Sequence, residues 1–332
     1  MKKKVLSILV IVAMIAMVAA CGNGNGGDDV AGEDGYVPLP GGGSNIMYVI
    51  TPSHANPFFK TAADVAQATA EALGYDVISA SHDDDPTRQL ELINAAIADG
   101  AAAIILDNAG ADVTIEAVQL ARDAGIPTFL IDREINADGV AISQIVANNY
   151  QGGLAIAQVF VDYMGGEGEF IELVGRETDT NAHVRSEAFH EILGQYEDMV
   201  MVARQSANWD QTEAFQVVTT LLHQHPNVRG IISGNDTMAV GAAAAVRAAG
   251  LSDIIIVGVD GSDDAADEIR AGYMVGTALQ QIALIAEMAV RQAHDYLTTG
   301  TTGLPERQLV DCIAITIDNV DYLREFVFSP PN

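Results

Sequence analysis

Pro127-Thr128-Phe129-Leu130-Ile131-Asp132-Arg133-Glu134 is a short apolar run that follows a Gly-Ile-Pro turn and breaks off into charges. Such a run reads as a strand buried on both faces of a parallel sheet, with Asp132 and Arg133 at its carboxyl end. Open α/β sheets bind ligands at that end. An ionised Asp132 only accepts hydrogen bonds and Arg133 only donates them, so the pair can divide the hydroxyls of a polar, uncharged ligand. By itself an Asp-Arg dipeptide is more often an ion pair at a strand end. The rest of the chain decides between the two.

Short apolar runs alternate with longer amphipathic segments for most of the length. Strands are expected over residues 45–50, 76–79, 103–106 and 127–131, each separated from the next by a helical pattern. The first helix should begin at Pro57 with Asn56 as its cap and run to about 73, where Gly74 stops it. The next two follow Pro86 and Asp112. A second series has strands over 168–173, 199–205, 230–233, 254–258 and 275–279, with helices near 150–164, 182–194, 211–225, 237–249 and 263–271. A helix over 281–297 and an apolar run over 309–315 follow. Two such series predict an α/β fold of two similar lobes with parallel sheets, and 145–149 should pass between them as an ordered hinge.

Composition narrows the function. The net charge is -29, from 45 acidic and 16 basic residues, a field that repels nucleic acid and anionic lipid alike. Lys2, Lys3 and Lys4 precede an apolar run over 5–20, the pattern of a secretory signal rather than a spanning helix. Val18-Ala19-Ala20-Cys21 resembles the lipobox of bacterial lipoproteins, which implies a diacylated Cys21 and attachment to the membrane. Gly and Asp dominate 22–44, an expected flexible tether, and nearly 290 residues then remain, enough for two lobes. With Cys21 lipidated, Cys312 has no partner, so no disulfide and no thiol metal site is expected. It reads as a small buried residue within the strand-like run 309–315.

Several side chains share one kind of place. Asn56-Pro57-Phe58-Phe59 sits at a strand-to-helix junction, and adjacent helix residues cannot both face one core. One of the two rings should therefore face a ligand, where an aromatic suits the C–H face of a sugar or polyol. Arg185 lies early in a helix, and Trp209, the only tryptophan, stands in a polar loop after a strand. Gly234-Asn235-Asp236 and Gly258-Val259-Asp260-Gly261 each end a strand, and Gln280 ends the next. In two facing lobes these could converge on one cleft. His82-Asp83-Asp84-Asp85-Pro86 reads as a capping loop rather than a metal site. Gly165-Gly166-Glu167-Gly168 lacks the lysine of a phosphate loop, and Gly261-Ser262-Asp263 lacks the flanks of a nucleophile elbow. Neither a cofactor nor a metal is called for.

Taken in order, Asn56-Pro57-Phe58-Phe59, Ile131-Asp132-Arg133, Arg185, Trp209, Asn235-Asp236, Val257-Gly258-Val259-Asp260-Gly261 and Gln280 resemble the type I periplasmic sugar-binding proteins, particularly ribose-binding proteins. The resemblance spans about 45–317. It implies two Rossmann-like lobes joined by a three-segment hinge and closing on a sugar: residues 45–148 plus about 281–312, and 149–280 plus about 313–332. It further implies that Phe58, Phe59 and Trp209 hold the sugar ring while Asn56, Asp132, Arg133, Arg185, Asn235, Asp260 and Gln280 bind its hydroxyls. Trp209 stands where ribose binders usually carry phenylalanine, and His54 and Asn181-Ala182-His183 also depart from the family pattern.

The expectation is therefore a monomeric, lipid-anchored binding protein outside the cytoplasm that hands a ribose-like monosaccharide to an ABC permease. Polyol or hexose binding is an alternative, as is sensing for a chemoreceptor or histidine kinase. A sugar hydrolase using Asp132 and Asp260 is disfavoured, because Arg133 should lower the pKa of Asp132 and make it a poor proton donor. A lac-repressor-type regulator shares the implied fold but would need a DNA-binding headpiece instead of an export signal.

Overall fold

The computed structural model describes residues 44–331, so the expected signal, Cys21 and all but the last residue of the tether lie outside the described residues. From Ile46 the chain forms β1 (Ile46–Thr51), α1 (Pro57–Ala72), β2 (Asp76–Ser81), α2 (Pro86–Ala98), β3 (Ala103–Leu106), α3 (Thr114–Asp123), β4 (Thr128–Ile131) and β5 (Ser143–Ala147). A second series continues with α4 (Asn149–Met164), β6 (Gly168–Val174), α5 (Thr180–Leu193), β7 (Met199–Ser206), α6 (Gln211–Gln224), β8 (Val228–Ser233) and α7 (Asp236–Ala248). It ends with β9 (Ile255–Asp260), α8 (Asp263–Ala271) and β10 (Gly276–Leu279). Then come α9 (Ile282–Thr299), β11 (Arg307–Val310), β12 (Ile313–Thr316), and a small hairpin of β13 (Leu323–Arg324) and β14 (Val327–Phe328).

The strands sort into two six-stranded sheets, β11-β5-β4-β3-β1-β2 and β12-β10-β9-β8-β6-β7. The first is parallel throughout, with Met47 opposite Ala103 and Ile46 opposite Asp76. The second is parallel except for β12, which runs antiparallel to β10. The sequence reading missed that reversal. A parallel strand needs a long crossover, but β12 follows β11 after two residues and must enter the second sheet from the hinge side.

Strand composition fixes the layers of the first lobe. Side chains alternate across a strand, so Met47, Val49, Ile105, Phe129 and Ile131 face α1 and α9, while Tyr48, Ile50, Ile104, Leu106 and Leu130 face α2 and α3. That is why these strands are apolar without a break. In the second lobe α4 pairs with α5 and α6 with α7.

The chain passes between the sheets three times, at Asn148, at Gln280-Gln281 and at Asp311-Cys312. Two expectations need correction here. Residues 145–147 are not a free crossing but belong to β5, bonded to β4 and β11 on either side. The run 309–315 is two strands in two sheets, so Cys312 lies at a crossing rather than inside a strand. It is buried all the same, and burial pushes its thiol up to about 12. The three crossings are laced together: Asn148 N–H donates to Val310 O at 2.7 Å, Asn148 Nδ2 to Asp311 Oδ1 at 2.9 Å, and Gln281 Nε2 to Asp311 O at 2.9 Å.

The helices start where their caps place them. Asn56 Oδ1 accepts Phe58 N–H at 3.0 Å, ahead of Pro57. Asp85 Oδ1 accepts Thr87 N–H at 2.8 Å, ahead of Pro86. Because Asp85 is exposed, Asp85→Ala should cost about 1 kcal/mol of unfolding free energy in a urea titration.

Candidate ligand-binding site

All ten side chains singled out from the sequence line one cavity between the sheets: Asn56, Phe58, Phe59, Asp132, Arg133, Arg185, Trp209, Asn235, Asp260 and Gln280. Asp179 and Asn181 complete the lining. Each side chain comes from the carboxyl end of a strand or from the loop or helix start beyond it, where two facing lobes present their strand ends to each other.

Backbone strain aims three of them. Asp132 has φ +59°, and Arg133 N–H donates back to Ile131 O at 2.6 Å, closing a γ-turn around it. Asp260 has φ +136°. Asn208 and Trp209 are consecutive left-handed residues (φ +50° and +65°) in a turn closed by Asp210 N–H to Ala207 O at 2.8 Å. Such conformations cost on the order of 1–3 kcal/mol each and persist where surrounding structure imposes them. Room for the Trp209 indole comes from Gly175, since a Cβ there would lie 2.0 Å from the ring.

The aromatic residues form the apolar walls. Phe58 and Phe59 meet edge to face at 5.6 Å and both border the cavity, so the two adjacent rings serve one surface after all. The Arg133 guanidinium lies 4.9 Å from the Phe59 centroid, and that of Arg185 lies 5.4 Å from the Trp209 ring. Trp209 is only 6% exposed, and its Nε1 donates to Asp179 Oδ2 at 3.1 Å.

Polar groups are either fixed by the protein or left over. Asn56 and Asn235 use Oδ1 to cap α1 and α7, and among the described residues their Nδ2 donors have no partner. Gln280 donates to Asp260 Oδ1 at 2.7 Å, while its buried Oε1 accepts nothing. Arg185 donates to Asn149 Oδ1 (2.7 Å) and Gly234 O (2.8 Å). Free amide donors, a free amide acceptor, carboxylates and aromatic faces are what a ring bearing hydroxyls requires.

Arg133 is the electrostatic centre. Its Nη1 donates to Asp84 Oδ1 at 2.7 Å and to Asn108 O at 2.9 Å. Its Nε lies 2.9 Å from Asp179 Oδ2 across the cleft, 3.5 Å from Asp107 and 3.8 Å from Asp132; the first is an ion pair not aligned as a hydrogen bond. Burial opposes the guanidinium charge, but the four carboxylates outweigh it and raise its pKa. The expected lowering of the Asp132 pKa does not occur. Burial, helped by Asp179, overcomes Arg133 and pushes Asp132 up to about 6. Burial likewise raises Asp107 and Asp260 well above the usual carboxylate range.

Two neighbouring features read from the sequence stand apart from the cavity. Asp84 and Asp85 act as the ion-pair partner of Arg133 and the cap of α2, while His82 is buried with Nε2 on Asp107 O at 2.7 Å. His183 is exposed and bonds Glu177 O, and His54 bonds Thr51 Oγ1. Among the described residues no cluster of His, Cys, Asp or Glu could hold a metal ion. The sequence reading missed Asp179 and Asn181, which contact the first lobe at Arg133 and Asp132. A signal was available: Asp179 caps α5 after β6, as Asn56 and Asn235 cap their helices after β1 and β8.

Residues 47–302 match the periplasmic binding protein domain. The D-apiose import binding protein of Paraburkholderia graminis is 55% identical over 283 residues, 85% of this chain and 91% of that protein. The ribose import binding protein of Haemophilus influenzae is 32% identical over 242 residues, 73% of this chain and 82% of that one. Among solved structures, an ABC transporter periplasmic solute binding protein from Actinobacillus succinogenes with bound D-allose aligns with a TM-score of 0.78 at 26% identity, covering 83% of this chain and 99% of that one. The Caulobacter myo-inositol binding protein bound to myo-inositol aligns at 0.79 and 25%, covering 86% and 97%.

Two outcomes follow from this geometry. Gly175→Ala should drive the indole from its seat, destabilising the chain by about 1–3 kcal/mol and shifting the single-tryptophan emission to the red. Asp132 keeps its proton up to about pH 6 when folded but only to about pH 4 when unfolded. In that window the native state holds more protons, so this carboxyl's contribution is complete below about pH 4 and is lost as the pH rises through about 6. Asp132→Asn should flatten the pH dependence of the melting temperature there; an unchanged slope would place the titration on another group.

Proposed function

The chain belongs to the periplasmic binding protein family, and from that premise we propose that it captures a pentose outside the cytoplasm and passes it to an ABC importer, with D-apiose the first candidate and D-ribose the second. The observation that carries this reading is the cavity between the sheets, lined from both lobes by aromatic faces, by the Nδ2 donors of Asn56 and Asn235 and by the unpaired acceptor of Gln280. Its relatives are import binding proteins, not enzymes. Two arginines face several carboxylates, so an anionic sugar phosphate would meet no net positive charge.

The D-apiose candidate rests on the 55% relative, whose identity to this chain far exceeds that of the ribose proteins. The sugar would draw the lobes together through contacts with both, a population shift rather than a reaction. We assign the lobes to 45–148 plus about 281–312 and to 149–280 plus about 313–332. Cys21 is proposed as a diacylated anchor and the protein as a monomer.

Calorimetric titration should give one D-apiose per chain, with D-ribose weaker by about tenfold or more. Asn56→Ser keeps a side chain able to cap α1 but removes the free Nδ2 donor. It should lower sugar affinity by about fivefold, the worth of one neutral hydrogen bond, with the melting point of the sugar-free protein unchanged. Heat from neither pentose would refute the assignment.

A further inference from the structure

Past the residues that match the family domain, the chain ends in a hairpin whose construction is otherwise hard to account for. β13 and β14 pair Leu323 with Phe328 and Arg324 with Val327, leaving Glu325 and Phe326 as the two-residue turn. Both have positive φ, +49° and +60°. That geometry is normally met by Asn-Gly, and a bulky aromatic at positive φ is an outlier. The strained turn puts the Phe326 ring, 4% exposed, against Phe58 at 5.6 Å and 80°.

The two rings belong to different lobes. The hairpin is moored to α8 of the second lobe: Glu325 N–H donates to Asp263 Oδ1 at 3.0 Å, and Arg270 Nη2 to Val320 O at 3.0 Å. Phe58 stands in the first turn of α1, in the first lobe. Elsewhere the hairpin stands off from that helix, because an open groove separates Thr61, Asp64 and Val65 from Tyr322, Arg324 and Val327. Phe58 borders the ligand cavity and Phe326 does not. Of the two cavity phenylalanines, Phe59 is steadied by the Arg133 guanidinium, whereas Phe58 lies between Phe59 and Phe326.

We infer that Phe326 is a positioning residue: a ring delivered by the second lobe that seats against Phe58, sets its orientation toward the ligand and favours the closed arrangement of the lobes. This rests on reading the cavity as the sugar site. A contact made across the cleft shifts the open–closed equilibrium only by what it adds to the closed form, so its loss should appear chiefly in ligand release.

The test compares the wild type with Phe326→Ala, Phe326→Leu and the double variant Glu325→Asn with Phe326→Gly. The double variant removes the ring while supplying the residues the turn prefers, so it keeps the hairpin. D-apiose and D-ribose are the probes, followed by Trp209 fluorescence in stopped flow. The Ala and double variants should release sugar about three- to tenfold faster, with association nearly unchanged and Leu recovering part of the loss. Sugar-free melting of the double variant should match the wild type. Wild-type release rates in the double variant overturn the assignment. If the wild type binds neither pentose, the sugar reading is what fails, and small-angle scattering of the sugar-free proteins then decides. An expanded double variant supports Phe326 as a closing contact, and an unchanged one overturns it.

Discussion

One guanidinium holds the cleft together. Arg133 lies among Asp84 after β2, Asp107 after β3, its neighbour Asp132 after β4, and Asp179 from the opposite lobe. A buried cation is tolerated only with compensating charge, and four buried or nearly buried carboxylates are equally intolerable without it. The cluster therefore links three strand ends of the first sheet to the second lobe. Burial, reinforced by the neighbouring carboxylates and only partly offset by Arg133, makes Asp107 and Asp132 titrate above the ordinary range. A loop of the second lobe that moved away would take Asp179 with it, and Arg133 would lose one of its closest partners.

Around this centre the protein accepts local strain to aim its ligand-facing groups. Asp132, Asp260 and Trp209 all have positive φ, and none is glycine. Each is held by bonds that leave little choice: a γ-turn at Asp132, Gln280 N–H on Asp260 O at 3.0 Å, and the closed turn before Asp210. Glycine appears where an atom must be absent instead, as at Gly175 beneath the indole. Strained carriers and close-packed glycines together give the cavity its fixed shape.

Most of this was legible in the sequence because strand burial, helix caps and carboxyl-end loops leave local marks. The run 127–131 stops at Asp132, and β4 ends at Ile131; Asn56 reads as a cap, and it caps. What escaped was set by tertiary placement. The split of 309–315 between two sheets is marked in the sequence only by Asp311, which does not say which sheet each half joins, and the antiparallel β12 follows from that split. The pKa of Asp132 was misjudged because its neighbour Arg133 is visible in sequence while burial and Asp179 are not. Asp179 carries the same capping signature as Asn56, but its reach across to Arg133 depends on how the lobes meet.

The triple passage of the chain has a bearing on how the molecule is made. Each sheet receives one of its two edge strands from the end of the polypeptide, β11 beside β5 and β12 beside β10, and α9 packs on one face of the first sheet. When the ribosome has finished β5, the first half still lacks a helix and a flanking strand that are encoded more than a hundred residues later. It must wait, unfinished, while the second half is synthesised, and both halves reach their final form only with the last few dozen residues. Neither half is a continuous piece of gene that could be cut out and expressed whole.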